Sequence, residues 1–473
     1  MSRLAPVVLI ALVVAGTVLA GTAATGAAQG DDRLPTIPLG GQAEGTPAAE
    51  TAGVQLVNLY AFPFNNWVYF RGELLNTTDQ TVSVPKVTLT LHDQAGGDLA
   101  TIPLLRPPSI WSDVPYLIPP GRWIGVEGAK QMQPDTWAGA TAEIGEVTPV
   151  DQSVLDAQAS GLELFNVSER QKTDKMVDIL GQVRNTGTQT ATGIEVRIVF
   201  RLADGRYAAA DAHAVYPQTL APGQTGSFFL YEAPYVDGPG WTYDVTAVGV
   251  ASAETPPEVD KGIAEFTGKE SPAGAPLTER TGVELTNLYV APGDPSDWAT
   301  FFGELRNTTD RPVAAPAVSL TLFDADGKVV NSRQSESVLS IIPPGETSPI
   351  EISTDIYDGK WARARVMLDA ATSADPADIA EGLAIDNLTA QQTDDHLTLS
   401  GDFVNNGTKP IKRGSIEILF YDANGRYAGH DSAYSGLFDT VDPGDRASFD
   451  YDEDVDLAPG WTYRLVVEGR NAG

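Results

Sequence analysis

One short pattern occurs four times along the chain: glycine, any residue, an apolar residue, any residue, asparagine, any residue, then threonine or glycine. It reads Gly72-Glu-Leu-Leu-Asn76-Thr-Thr78, Gly181-Gln-Val-Arg-Asn185-Thr-Gly187, Gly303-Glu-Leu-Arg-Asn307-Thr-Thr309 and Gly401-Asp-Phe-Val-Asn405-Asn-Gly407. Alternating apolar positions closed by an Asn-led turn describe the end of a β-strand. Recurrence of one pattern makes the chain a tandem array, and the array must be recognised before any fold is assigned.

About ten residues after each pattern a second strand is predicted. Val87, Leu89 and Leu91 alternate with Thr88, Thr90 and His92, and Ile194, Val196 and Ile198 alternate with Glu195, Arg197 and Val199. Val318–Phe323 and Ile416–Tyr421 take the same place in the third and fourth repeats. A period of two buries one face of a strand and wets the other. Gly-bearing hairpin turns come next at Gln94–Gly97, Ala203–Gly205, Ala325–Gly327 and Ala423–Gly425. Each repeat then has a Pro-Gly turn (Pro120, Pro222, Pro344, Pro443) and, 17 to 19 residues on, one tryptophan: Trp137, Trp241, Trp361 or Trp461. These four tryptophans are expected in structural cores. No long stretch has a helical period.

The repeats match in alternation. The first and third share Asn-Leu-Tyr (58–60 and 287–289), a Trp (Trp67 and Trp298) and Asn-Thr-Thr-Asp (76–79 and 307–310). The second and fourth share Gly-Arg-Tyr-Ala (205–208 and 425–428) and Gly-Trp-Thr-Tyr (240–243 and 460–463). A two-domain ancestor, later duplicated, explains both sets. Strands spaced by turns over about 90 residues predict an antiparallel sandwich. The expected fold class is therefore all-β: four tandem immunoglobulin-like antiparallel β-sandwiches in two duplicated pairs, at 54–148, 155–251, 282–370 and 381–473. Residues 252–281, rich in Pro, Glu and Ala, read as a semi-flexible hinge between the pairs, and 30–53 as a flexible linker. Trp67 and Trp298 are expected in core or interdomain packing.

At these residues the repeats resemble the FxLYD family of bacterial extracytoplasmic domains, with CARDB-type adhesion modules as a second resemblance. The matching positions are Ile418-Leu-Phe-Tyr-Asp422, Leu320-Thr-Leu-Phe-Asp324 and Leu89-Thr-Leu-His-Asp93, while Ile198-Val-Phe-Arg-Leu202 departs furthest. None has Phe first, and only the fourth repeat keeps Tyr-Asp. The resemblance implies an immunoglobulin-like fold at a bacterial surface or in the periplasm. It carries over no catalytic residue and no ligand, and fold alone does not supply function.

The N-terminus reads as an export signal over 1–29. Arg3 precedes the uncharged apolar run Leu4–Ala20, and small residues come after it. The uncharged stretch runs to Ala28, so an uncleaved anchor is the alternative, and it is the only membrane contact expected. There is no cysteine, which removes thiol catalysis, zinc–thiolate sites and an inter-sheet disulfide, and each core must hold by packing alone. The formal charge of −32 opposes binding to nucleic acid or to an anionic lipid face. The five Asn-x-Ser/Thr sites (Asn76, Asn166, Asn307, Asn387, Asn406) read as turn chemistry.

No catalytic constellation, cofactor motif or metal-ligand spacing is present: the histidines are His92, His213, His396 and His430, and none recurs across the repeats. Asp324–Gly327 reads as a hairpin turn before a calcium loop, because Gly is fourth where such a loop needs it sixth. The run Asp450–Asp456 reads as a solvated loop. Two tryptophans, Trp111 and Trp123, have no counterpart. They lie in or beside the segment where the first repeat outgrows the third. Asp93 to Ile118 is 25 positions and Asp324 to Ile342 is 18. Arg106, Trp111, Tyr116 and Trp123 are the candidate binding loop, since aromatics on a Pro-stiffened loop make contact surface at low entropy cost.

The function expected is that of a non-enzymatic exported envelope or secreted protein, a spacer and protein-interaction module with an envelope or extracellular protein as partner. The alternative is a carbohydrate-binding surface protein using the first repeat's loop aromatics on a glycan.

Overall fold

The computed structural model describes residues 37–38, 47–64, 66–106, 114–132, 137–171, 177–230, 241–252, 261–268, 270–272, 275–291, 298–356, 361–375 and 379–471. The chain is nearly all β. Among these residues many antiparallel sheets stand against one short helix, Gln152–Asp156. The segments 1–29 and most of 30–46 lie outside the described residues. The chain divides into two compact units, Met1–Pro256 and Pro257–Gly473.

In the first unit, strands Val54–Phe64, Trp67–Asn76 and Trp123–Gln131 form one sheet, and Gly139–Ile144, Val87–His92 and Asp98–Leu104 another. The first repeat's core draws Leu56, Phe70 and Leu74 from one sheet and Val87, Leu89 and Leu91 from the other, all 0% exposed. Burial alternates along Val87–His92 as its period of two requires. The second repeat repeats the plan. Leu162–Gln171, Val177–Asn185 and Thr225–Leu230 form one sheet, and Tyr207–Ala214, Thr190–Arg201 and Thr242–Ser252 the other.

The second unit holds two further cores of the same make, centred on Leu285, Phe301 and Leu320, and on Leu399, Phe403 and Ile418. In its first core both faces of Val318–Phe323 are buried, where one wet face was expected. On the polar side the hydroxyls of Thr321 and Ser332 lie 3.0 Å apart and bond to each other, while the buried Ser319 hydroxyl has no hydrogen-bond partner among the described residues. Part of the segment 252–281 is strand. Ile263–Phe266 pairs with Arg363–Leu368, and Pro276–Arg280 pairs with Val283–Val290. Phe266 is buried and stacks on Trp361 at 6.4 Å. Backbone pairing and one aromatic anchor thus draw a Pro-rich segment into the fold. In the same way Ala49–Thr51, read as linker, pairs with Val54–Phe64.

The fourfold Asn is the buried hinge of each turn. Asn76, Asn185, Asn307 and Asn405 are 0% exposed. Each side-chain amide donates to the carbonyl four residues on and to a second carbonyl 35 to 42 residues away, at 2.7–2.8 Å. Each side-chain oxygen accepts the amide two residues on, at 2.9 Å. Both N–H donors and the oxygen of this buried amide are bonded, so its burial costs little. A second fourfold Asn was not legible as a motif. Asn58, Asn166, Asn287 and Asn387 all take a positive φ of 52–54°. Each sits where strand register shifts, at a β-bulge. Each side-chain amide reaches the residue after the motif glycine: Glu73, Gln182, Glu304 or Asp402.

The four repeat tryptophans sit at the cores. Trp137 and Trp461 are buried, while Trp241 and Trp361 pack against a core half-buried. Each meets a phenylalanine at 5.6–5.8 Å: Phe70, Phe200, Phe301 or Phe420. Trp67 and Trp298 depart from expectation. They are 40% and 44% exposed, because each opens its strand at the hairpin end.

Candidate functional site

The residues that distinguish odd repeats from even ones meet at a seam inside each unit. In the first unit the bulge at Asn58 breaks the register between Val57 and Tyr60 and re-aims the rest of that strand. The Tyr60 hydroxyl donates to the carbonyl of Tyr207 at 2.8 Å. The amide of Tyr207 donates to Oε1 of Glu73 at 2.6 Å, and Asn58 holds the other oxygen at 2.9 Å. The guanidinium of Arg206 lies over the Tyr60 ring at 4.6 Å. Burial raises the Tyr60 hydroxyl above its ordinary pKa against the opposing pull of Arg71 and Arg206, so it remains a donor.

The second unit repeats the arrangement. The Tyr289 hydroxyl donates to the carbonyl of Tyr427, Asn287 donates to Glu304, and Arg426 lies over the Tyr289 ring at 4.7 Å. Burial, with Asp422 adding to it, pushes the Tyr289 hydroxyl up to about 12. Phe302 meets Tyr427 edge-on at 5.4 Å. Beside this seam a cleft of about 400 Å³ is lined by Glu270, Ser271, Asn287, Glu304, Asn424 and Arg426 among others.

Around this shared centre the two seams differ. In the first unit Arg197 stacks on Tyr116 at 3.7 Å and donates to the carbonyl of Val114 at 2.9 Å. Arg201 lies over Trp123 at 3.8 Å. Arg106 also lies over Tyr116, at 4.7 Å. The structure therefore brings Arg106, Tyr116 and Trp123 of the candidate loop to the seam, with Tyr116 only 8% exposed. Trp111 lies outside the described residues. The seam residues Glu73, Glu304, Tyr207 and Tyr427 were not singled out as a site. The available signal was that Gly-Glu is confined to odd repeats and Gly-Arg-Tyr to even ones.

Elsewhere the chemistry is that of turns. Oδ1 of Asp324 accepts the amides of Asp326 and Lys328 at 2.9 and 2.8 Å, and Asp93 and Asp422 do the same in their hairpins. The acidic run is partly strand: Arg446–Asp454 carries Asp452 and Asp454, which hold the two nitrogens of His396 at 2.8 Å each. Among the described residues no group of three or more His, Asp or Glu could hold a metal ion. Nor, among them, is any helix long and apolar enough to cross a membrane.

No family model matches the chain, and no curated protein matches it. Solved structures similar in part include two of low identity. One is the transglutaminase of red sea bream, at 11% identity and a TM-score of 0.15, covering 40% of this chain and 29% of that one. The other is the alpha-2-macroglobulin of E. coli, at 10% identity and a TM-score of 0.12, covering 89% of this chain and 27% of that one. The chain spans less than a third of either, and similarity this low carries no functional argument.

Proposed function

We propose that this chain is a non-enzymatic exported protein of the bacterial envelope or exterior, a spacer and protein-interaction module of four immunoglobulin-like sandwiches in two pairs. The observation that carries the reading is the duplicated seam: the Tyr60–Tyr207 bond and the Arg206 stack recur as the Tyr289–Tyr427 bond and the Arg426 stack. A hydrogen-bonded, arginine-stacked junction between successive sandwiches makes a stiff rod segment, which is what a spacer needs. The FxLYD-like strand ends and the apolar N-terminal run support the location. The test is fractionation of the native host with in-cell cross-linking. Recovery in the envelope or medium, cross-linked to other proteins, is expected. A cytoplasmic protein, or turnover of a hydrolase substrate panel, would refute the reading.

A further inference from the structure

We infer, on the basis of the interaction-module reading, that the outer edge of strand Gly139–Ile144 in the first repeat takes up an extended strand of a partner protein. That strand carries an inward phenylalanine and a basic residue opposite Glu143.

Gly139–Ile144, Thr242–Ser252, Arg363–Leu368 and Thr462–Asn471 hold equivalent places in the second sheet of the four repeats. In the last three, the chain leading into the repeat lies along the outer edge. In the second repeat Ala159 donates to the Gly249 carbonyl at 2.9 Å, and Ala251 to that of Ala157 at 2.8 Å. In the third, Ile263–Phe266 adds as a strand, and Leu368 donates to Gly262 at 2.7 Å. In the fourth, Ile379 bridges Arg470 and Ala380 donates to Gly469 at 3.3 Å. Among the described residues Gly139–Ile144 ends its sheet, and its outer side meets the Thr51 hydroxyl, 3.1 Å from the Ile144 carbonyl. That bond leaves room for a strand, because the equivalent Leu368 carbonyl accepts Arg280 at 3.1 Å with Ile263–Phe266 in place. An unpaired edge is a template for strand addition.

Register transfers the site residue by residue. Leu91 faces Ala140 as Leu322 faces Ala364, and Thr88 faces Glu143 as Ser319 faces Met367. Phe266 faces Ala364 and lies buried against Phe301 and Trp361, 6.4 Å from each ring. Phe70 and Trp137 take the places of those rings in the first repeat, in the core on which Ala140 and Ala142 pack. Under the added strand Ala364 and Val366 are 0% exposed, whereas Ala140 and Ala142 are only half-buried. The same alanine is thus covered in one repeat and short of cover in the other.

Charge sets the rest of the partner's sequence. In the third repeat Glu265 of the added strand pairs with Arg363 and Arg365, at 2.7 and 2.8 Å. Gly139 and Thr141 stand in place of those arginines, so no acid is required opposite them. Glu143, an exposed carboxylate, stands where the apolar Met367 faces Ile263. Opposite charges directly across a ladder attract, so a Lys or Arg belongs where the third repeat has Ile263.

Hydrogen exchange of the full chain tests this, with a peptide of residues 260–268 carrying Ile263→Lys as the probe. Without peptide, 140–144 should exchange as an open edge. With the peptide at about ten times its Kd, exchange there should slow roughly tenfold, and 364–368, already paired, should not change. The peptide that also carries Phe266→Asp should protect nothing. Glu143→Lys in the protein should weaken the Lys peptide and favour one with Ile263→Glu, which checks the register without altering the core. Protection of 140–144 before any peptide is added would mean that the chain's own N-terminal segment covers the edge, and would overturn the inference. So would exchange at 140–144 that no concentration of peptide slows. Either failure leaves recovery in the envelope and cross-linking to other proteins, the test of the module reading, unaffected.

Discussion

Gly125 lies against the ring of Tyr207: a Cβ on Gly125 would sit 2.1 Å from Cε2 of that ring. Strand and partner repeat touch here with no room for a methyl group. Gly125→Ala should displace Tyr207 and loosen the first seam while leaving both cores intact. The expected loss is about 1–3 kcal/mol, typical of overpacking at a tight contact. Thermal unfolding reads the loss, and tyrosine accessibility to nitration reads the opening. A variant as stable and as protected as the parent would mean that the seam yields without cost.

Asn185 satisfies the carbonyls of Gln189 and Leu220 and the amide of Gly187. Asn185→Ala strands these buried partners, at about 1–3 kcal/mol for each group left unsatisfied. The neighbouring Thr186, exposed and bonded only to the Gly161 carbonyl, should cost about 1 kcal/mol or less as Thr186→Ala. Urea unfolding of the two variants compares them directly, and equal midpoints would remove the turn from its central place.

Phe266 anchors the strand Ile263–Phe266 in the core that holds Trp361. Phe266→Ala should cost about 3–5 kcal/mol, as for a large buried aromatic, and should alter the emission of Trp361, its stacking partner. If the segment were merely a tether, neither stability nor emission would move.

Burial pushes the Asp422 carboxyl up, but the bonds from Arg426 and from the turn amides outweigh it, and the group sits below its usual range. Its contribution to the hairpin is present above the ordinary aspartate pKa and is lost as pH falls through the lowered one, below about pH 4. The melting difference between parent and Asp422→Asn should hold from pH 7 to 5 and narrow toward pH 3. An unchanged gap at pH 3 would contradict the sign.

By itself the sequence determined the β character of the chain, the positions of its turns and its pairwise alternation. Those signals are local. Apolar residues two apart, as in Val87–His92, and an Asn closing a strand, as at Asn185, express their meaning within a few positions. Tertiary structure alone decided what the alternation is for. The bond from Tyr60 to Tyr207 joins residues 147 apart, and that from Tyr207 to Glu73 joins residues 134 apart. No period or spacing reports such a pairing. It also decided that Tyr116 faces Arg197, that Trp67 stays exposed, and that Ile263–Phe266 is a strand. A short segment flanked by Pro and Gly has little preference of its own and becomes a strand only beside a free sheet edge and a core that accepts Phe266.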